Sequence, residues 1–247
     1  MDTERHKKAA FFDLDGTLLS CNLVMTYAYY ARNDRSILKS IFKFLNVLIK
    51  VPIFFVLDLY SRKSFNVFLF RAYRGMHRDR LIGLADDLFE VTLKPSIYAG
   101  SEALVRRTRE LGYRNVLVTG DLDFTVRPIA LQLGFDEIIC NRLEFLGHVA
   151  TGKVLPQLVV GDEKAAIIRL YAEAEGLDLK ASCAFSDSSA DIPMLSQTGH
   201  PVATNPTSRL RRAAKARGWP IITLNAAGEN GASNDLPEFL RCDPTHS

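Results

Sequence analysis

Two aspartates one residue apart, Asp13 and Asp15, follow the apolar run Ala9–Phe12 and precede Gly16 and Thr17. The apolar run predicts a buried strand that ends at the aspartates, because Asp and Gly are poor strand residues. Open parallel sheets bind ligands at the carboxyl ends of their strands. Two like charges so close repel each other, and a hard divalent cation such as magnesium would hold them together. The alternative is an acidic turn after a strand.

Two further segments offer groups that bind anions. Arg114–Val118 predicts a second apolar strand, and it is followed by Thr119 and Gly120, which supply a hydroxyl and an open backbone amide. Lys164 lies at the start of a helix predicted over Ala165–Ala174. A lysine at the positive end of a helix dipole costs stability, so an anionic partner is indicated there. In isolation, Lys164 would be a solvated charge and Thr119 a strand-end cap.

A fourth segment adds more carboxylates after a strand. The run Ser182–Phe185 predicts this strand, and the turn that follows it carries Asp187 and Asp191 on one face. All four segments therefore set polar side chains at strand ends or at a helix start. We expect them to meet at one edge of a parallel sheet.

In this order, the four segments resemble the motifs of the haloacid dehalogenase superfamily of phosphohydrolases. The matching residues are Asp13 to Thr17 for the first motif, Thr119 for the second, Lys164 for the third, and Asp187, Ser188 and Asp191 for the fourth. The resemblance covers about residues 9–225. The stretch Gly199–Ala203 and a hairpin predicted over Asn141–Val154 resemble the subgroup related to phosphoserine phosphatases.

The resemblance implies a mechanism for the first motif. Asp13 would be the nucleophile that forms an aspartyl-phosphate, and Asp15 would be the acid and base. Dehalogenases of the superfamily lack the second aspartate because a halide leaving group needs no proton, so Asp15 argues against that chemistry.

The resemblance also implies roles for the other motifs. Magnesium would be held by the Asp13 carboxylate, the Asp15 backbone carbonyl and Asp187. Thr119, Gly120 and Lys164 would bind the phosphate, and Asp191 would orient Lys164 or a metal-bound water. One departure is Asp121, where relatives carry a small neutral residue. An anion at this position would weaken phosphate binding unless Arg127 or another cation neutralises it.

The chain of 247 residues is long enough for a core and an inserted smaller unit. We predict an α/β fold, with a three-layer Rossmann-like parallel sheet as core and a helical cap inserted after the first strand. The core comprises residues 1–19 and 95–225, and the cap comprises residues 20–94. Residues 226–247 are rich in Gly, Asn and Ser and predict a disordered tail. The cap would close over the site and select the substrate, as in capped relatives.

The cap is more basic than the rest of the chain. Residues 20–80 contain eleven Lys and Arg against three Asp, whereas the whole chain carries only +3. Lys39, Lys43 and Lys50 recur at helical spacing among long aliphatic and Phe-rich runs. This pattern predicts one of two arrangements, peripheral membrane contact through residues 38–70 or a buried soluble lid, and it fits both equally well. A spanning helix is disfavoured by the interrupting charges and Pro52, and aliphatic runs between the lysines argue against nucleic acid.

The predicted substrate class follows from the composition of the cap and from the residue at position 22. Phosphoserine phosphatases carry a Glu nine residues after the nucleophile, and this chain has Asn22 there. A neutral amide cannot pair with an ammonium group, which favours a lipid or other amphiphilic phosphate over phosphoserine. Arg71 and Arg74 are candidates for a second anionic group of the substrate. A small soluble phosphoester, a phosphotransferase reaction and a low-turnover phosphate-binding or membrane-docking protein are the alternatives.

The cysteines and the N-terminal residues favour a cytoplasmic location. The four cysteines show no paired metal spacing, which fits a reducing environment. The charged segment Met1–Ala10 runs directly into the first strand, so we expect no cleaved signal peptide. The prediction is a cytoplasmic enzyme, with peripheral contact at the inner face of the membrane.

Overall fold

Six parallel strands form the central sheet of the computed structural model, which describes residues 7–33, 62–156, 158–224 and 236–241. The strands of this sheet are β1 (Ala9–Phe12), β2 (Arg114–Leu122), β3 (Glu137–Asn141), β6 (Cys183–Ser186), β7 (His200–Thr204) and β8 (Ile221–Ile222). Their order is β3-β2-β1-β6-β7-β8, so β1 lies in the middle between β2 and β6. The strands predicted around the first, second and fourth motifs are therefore neighbours.

Alternate residues of each central strand pack on opposite faces of the sheet. On β1, Phe12 belongs to one apolar cluster and Phe11 to the other. Phe12 stacks on Phe185 of β6, with ring centroids 4.5 Å apart, and both side chains are fully buried. Helices cover both faces, which gives the predicted three-layer α/β core.

Helices make up most of the described structure outside the sheet. In chain order they are α1 (Leu23–Arg32), α2 (Arg62–Arg71), α3 (Arg78–Gly83), α4 (Ala85–Leu88), a π-turn (Phe89–Leu93), a 3₁₀ turn (Lys94–Ser96), α5 (Ser101–Glu110), α6 (Asp123–Leu133), α7 (Asp162–Glu175), a 3₁₀ turn (Ser189–Asp191), α8 (Ile192–Leu195), α9 (Ser208–Arg217) and α10 (Glu238–Arg241). Between β1 and α5, the described elements of the cap are helical. None of the helices in the described ranges has the length and apolar character needed to cross a membrane.

A two-stranded hairpin, β4 (Leu143–Leu146) and β5 (Val149–Val154), joins the core to the cap. Its backbone pairs with the segment after α2, where Gly75 N donates to Ala150 O at 2.9 Å and Ala150 N donates to Met76 O at 2.9 Å. Gly152 has φ +80°, and a Cβ placed on it would lie 3.0 Å from Arg74 Cβ. The hairpin therefore holds the end of α2 by backbone bonds and close contact.

Two predicted segments lie wholly or partly outside the described residues. The lysine-rich part of the cap, including Lys39, Lys43 and Lys50, falls in 34–61, for which no structure is described. Of the predicted tail, residues 236–241 are described and contain α10. Leu240 is fully buried there, and Phe239 stacks on His200 at 4.6 Å. This part of the tail is ordered because its apolar side chains pack against the core.

Candidate active site

Asp13 lies just past the end of β1, at the carboxyl edge of the sheet. Its backbone N–H still donates to Phe185 O of β6 at 2.9 Å, which fixes the turn that follows. The residue is only 6% exposed. A buried carboxylate needs partners, since an unpaired one would cost far more than a surface charge.

Thr17 links the Asp13 carboxylate to that of Asp187. Its hydroxyl lies 3.1 Å from Asp13 Oδ2 and 3.4 Å from Asp187 Oδ1, and it accepts a 2.9 Å bond from the Asp187 N–H. The turn needs Gly16, which has φ +78° and would bring a Cβ within 2.5 Å of Asp187 Oδ2. The first and fourth motifs therefore pack against each other with no room for a side chain between them.

Lys164 is the cationic partner of this carboxylate cluster. It lies in the first turn of α7, 5% exposed, and its ammonium donates to Asp13 Oδ1 at 2.6 Å and to Asp191 Oδ2 at 3.0 Å. Burial alone would lower the pKa of Lys164, but the two carboxylates outweigh it and raise the pKa above its ordinary value. Lys164 is therefore charged at every physiological pH.

Asp191 is held in turn by Ser186. The Ser186 hydroxyl donates to Asp191 Oδ2 at 2.8 Å, the same oxygen that accepts from Lys164. Asp191 is 4% exposed and lines the cavity beside Lys164. The predicted position of Asp191 next to Lys164 is thus observed.

Thr119 and Gly120 lie at the same carboxyl edge of the sheet as Asp13, because β2 pairs in parallel with β1. The ladder between β2 and β3 is interrupted between Val118 and Leu122, so residues 119–121 leave the regular pairing. The Thr119 hydroxyl accepts a 3.2 Å bond from Asp121 N–H. Both Thr119 and Gly120 line the cavity that contains Asp13 and Lys164.

Asp121 is buried directly behind Asp15. It is 3% exposed, and its Oδ1 has no hydrogen-bond partner within the described residues. Burial and the nearby Asp13 charge raise the pKa of Asp121 to about 7, against opposing effects of Asp15 and Lys164. The raised pKa favours the neutral form of this carboxyl and so reduces the repulsion, and within the described residues Asp121 forms no ion pair with Arg127.

A single cavity joins these groups under the cap. It is lined by Asp13, Asp15, Leu23, Asn66, Thr119, Gly120, Val159, Val160, Gly161, Lys164, Ser188, Ala190 and Asp191. Asp187 lies outside this lining, beneath Gly16 and Thr17. Of the described cap residues, Leu23 and Asn66 reach the cavity.

The three cap candidates named from sequence lie elsewhere. Asn22 is exposed and caps α1, where its Oδ1 accepts 3.1 Å bonds from the N–H groups of Val24 and Met25. Arg71 and Arg74 are exposed at the end of α2, against Gly152 of the hairpin. The structure does not bring these three side chains into the cavity lining.

Two residues of this site, Ser186 and Asn66, could not be predicted from the sequence. Ser186 had no predicted role, although its hydroxyl donates to Asp191. Asn66 had no signal, because a neutral residue within an apolar helix pattern carries no motif. Thr17 belonged to a recognised motif, but its contact with Asp187, 170 residues away, is visible only in the fold.

Few of the described side chains are placed to coordinate a metal ion. Within the described residues, no three side chains of His, Cys, Asp or Glu converge as a preformed metal site. The oxygen groups that do meet are the Asp13 and Asp187 carboxylates, both bonded to the Thr17 hydroxyl. Such a set suits a hard cation that keeps several water ligands.

A sequence model of haloacid dehalogenase-like hydrolases matches residues 10–196 of this chain. That range contains every residue described above at the cavity and beneath it. The comparison with individual proteins agrees with this match.

Two curated relatives illustrate the similarity. The chain is 31% identical over 226 residues to an inhibition of morphological differentiation protein of Streptomyces azureus, covering 89% of this chain and 79% of that protein. It is 33% identical over 147 residues to a phosphoserine phosphatase of Mycobacterium tuberculosis, covering 60% of this chain and 48% of that protein. The second match thus spans about half the length of the relative.

Among solved structures, a phosphoserine phosphatase determined as an analogue of its phospho-aspartyl intermediate superposes with a TM-score of 0.66. It is 20% identical, and the match covers 88% of this chain and 93% of the other. At this identity the similarity establishes a shared fold.

Proposed function

The chain belongs to the haloacid dehalogenase-like hydrolases, and from this we propose that it is a magnesium-dependent phosphomonoester hydrolase that acts through an aspartyl-phosphate on Asp13. The observation that carries the proposal is the cavity in which Asp13, Asp15, Thr119 and Lys164 meet. The phosphoserine phosphatase relatives support a phosphate ester as substrate.

Asp13 has the properties of a nucleophile. Lys164, 2.6 Å from Oδ1, favours its ionised form, and Thr17 holds Oδ2, so the carboxylate is fixed in one orientation. In the first displacement, an Asp13 oxygen attacks phosphorus and the P–O bond to the alcohol breaks. The carboxylate must exchange one of its present bonds for the bond to phosphorus.

Asp15 is suited to move the protons. In the protonated form it gives a proton to the leaving alcohol, and as a carboxylate it takes one from the water that cleaves the aspartyl-phosphate. Burial raises the pKa of the neighbouring Asp121 to about 7. Because two adjacent carboxylates repel each other, Asp15 and Asp121 together carry one negative charge more readily than two. A pure phosphate sensor would have no use for this acid.

The transferred phosphoryl group needs donors for its remaining oxygens. The Thr119 hydroxyl, the Gly120 backbone N–H and the Lys164 ammonium lie on the same cavity as Asp13. They supply neutral and charged hydrogen bonds to an anion in a partly dehydrated site. Asp191 and Ser186 keep Lys164 in place.

Magnesium fits the carboxylates beside Thr17. We propose that the Asp13 carboxylate, the Asp15 backbone carbonyl and Asp187 hold it, with water completing the shell. The ion would offset the repulsion between the anionic nucleophile and the anionic phosphate. Gly16 serves this arrangement because any side chain there would collide with Asp187.

For the substrate we propose a lipid or other amphiphilic phosphate. The support is the composition of the cap, with Lys39, Lys43 and Lys50 among aliphatic runs, and the absence of a carboxylate at Asn22. The phosphoserine phosphatase relatives support a small soluble ester as the alternative.

Phosphate release with magnesium across a panel of esters tests the proposal. The panel sets phosphoserine and sugar phosphates against lysophosphatidate and phosphatidylglycerophosphate in mixed micelles. Selective turnover of the lipids is the expected result. Turnover of soluble esters alone would keep the chemistry and contradict the lipid substrate, and release of phosphate only to added alcohols would indicate a phosphotransferase. No turnover of any ester would contradict the enzyme and favour a phosphate-binding protein.

A further inference from the structure

Asn66 is a buried polar residue of the cap that lines the roof of the cavity. It lies on α2 of the cap and is 4% exposed. It lines the same cavity as Asp13, Asp15 and Lys164. Its side-chain amide makes no hydrogen bond with any residue in the described parts of the chain. An amide that lines a cavity and whose donor and acceptor atoms are not used within the described residues is available to bind a ligand.

Contacts of α2 with neighbouring elements fix the position of Asn66. One turn earlier on α2, Lys63 forms an ion pair with Glu163, the neighbour of Lys164, at 2.5 Å. The Tyr27 hydroxyl of α1 donates to Ala72 O, just after α2, at 3.2 Å. Asn66 Nδ2 lies 3.1 Å from the point that a Cβ on Gly120 would occupy. The amide nitrogen thus lies close to Gly120, whose backbone N–H is proposed above to bind the phosphate.

The in-line geometry of phosphoryl transfer determines which part of a substrate lies next to Asn66. In phosphoryl transfer the attacking and leaving oxygens are roughly in line. Asp13 is on the sheet side of the cavity and Asn66 is on the cap side. An alcohol that leaves opposite Asp13 therefore departs toward Asn66.

The chemistry of the roof selects the kind of alcohol. The described cap residues in the cavity are Leu23, which is apolar, and Asn66, which is neutral and both donates and accepts hydrogen bonds. An ammonium or carboxylate on the alcohol would find no opposite charge on these two side chains. A hydroxyl next to the ester carbon would pair with the amide.

We propose that Asn66 positions the substrate by hydrogen bonding to a hydroxyl beside the ester of a glycerol-like leaving alcohol. The inference rests on the proposed hydrolysis at Asp13 and narrows its substrate class. Glycerol 3-phosphate and lysophosphatidate share this hydroxyl, so the proposal applies to a soluble ester and to a lipid.

The test compares kcat/KM for glycerol 3-phosphate, lysophosphatidate and propyl phosphate, which lacks the hydroxyl. Wild type is compared with Asn66→Ala and with Asn66→Leu, which keeps the shape and loses the hydrogen bonds. Val67→Ala, a partly exposed neighbour on α2, is the matched control. We expect both Asn66 variants to lose roughly tenfold on the two glycerol esters and to change less than about twofold on propyl phosphate.

Three other results would overturn the inference, and they differ in what they imply for the proposed hydrolase. Equal losses on all three esters would overturn the inference and leave the hydrolase intact, because Asn66 would then only support the cap. Unchanged rates on the glycerol esters would overturn it as well. Absence of turnover by wild type on every ester would overturn the proposed function, and this inference with it. Under the inference, the ratio of lysophosphatidate to glycerol 3-phosphate turnover in wild type tells whether the lipid or the soluble ester is preferred.

Discussion

Asp13 and Lys164 are each buried, and each depends on the other for its charge. Removing one partner of such a pair leaves an uncompensated charge and costs about 3–5 kcal/mol. Asp191 and Ser186 extend the pair into a network, so that Lys164 is held from two sides. A lysine in the first turn of α7 is unfavourable for the helix dipole alone, and these carboxylates explain why it is there.

Asp121 is a buried carboxyl whose charge destabilises the folded state at neutral and higher pH. Its pKa is raised from 3.8 to about 7, first by burial and then by the Asp13 charge. The folded state therefore binds more protons than the unfolded state between these two values, and stability falls as the pH rises through that window. We expect Asp121→Asn to raise the unfolding free energy at pH 8 by on the order of 2 kcal/mol, and by much less at pH 4.

Urea unfolding in EDTA at pH 4 and pH 8 measures this difference. Asp123→Asn, which changes a partly exposed carboxyl two residues away, is the control for charge alone. A gain for Asp121→Asn that is equal at both pH values would contradict the assignment of a raised pKa.

At the scale of elements, the hairpin positions the helix that carries Asn66. Gly152 of β5 has φ +80°, and a Cβ there would come within 3.1 Å of the Arg71 backbone. Gly147, in the turn of the same hairpin, has φ +60° but open space around it. Both glycines avoid backbone strain, and Gly152 alone also permits close packing on α2.

Gly152→Ala therefore separates packing from strain. Gly147→Ala should cost about 1–2 kcal/mol of stability through its positive φ. Gly152→Ala should cost more than that and should also lower kcat/KM, because the displaced α2 moves Asn66. Urea unfolding and phosphate release measure the two effects. Equal stability and equal activity in the two variants would show that the hairpin does not position the helix.

The elements around the motifs could largely be predicted, and their bounds differ for physical reasons. β1 was predicted at Ala9–Phe12 and is observed there. The helix predicted from Ala165 begins at Asp162, because acidic residues suit a first turn and Lys164 finds its carboxylates inside the fold. β2 was predicted to end at Val118 but extends to Leu122, since its irregular last residues still meet β3.

At the scale of the whole molecule, the charge of the chain is unevenly distributed. The cap segment 20–80 has eight more positive than negative residues, whereas the chain as a whole has +3. An anionic surface would attract such a cap, most strongly at low salt. Membrane contact through residues 38–70 stays a prediction, because most of this segment lies outside the described residues.

A sedimentation assay with anionic liposomes tests this contact. We expect wild type to bind at low salt and to be released when Lys39, Lys43 and Lys50 are all replaced by Glu. The control replaces three exposed basic residues of α9, Arg209, Arg211 and Lys215, by Glu, which makes the same change in charge. Binding that survives the cap substitutions, or no binding by wild type, would leave the cap as a soluble lid.

The molecule also shows where prediction from sequence stops. The four motifs place Asp13, Thr119, Lys164 and Asp191 near one another because parallel strands share an edge, and short-range patterns reveal those strand ends. The contact of Asn66 with the cavity depends on how α2 docks, through Lys63 and the hairpin. Such long-range docking leaves no periodic or motif signal in the chain.

The release of p-nitrophenolate from p-nitrophenyl phosphate, followed before the steady state with and without magnesium, tests whether Asp13 is the nucleophile. Wild type should turn over with magnesium. Asp15→Asn should give a burst of about one p-nitrophenolate per enzyme and then nearly stop, because this leaving group needs no proton but hydrolysis of the aspartyl-phosphate needs a base. Asp13→Asn should show neither burst nor turnover, a loss of roughly a thousandfold or more. Substantial turnover by a folded Asp13→Asn variant would contradict the account.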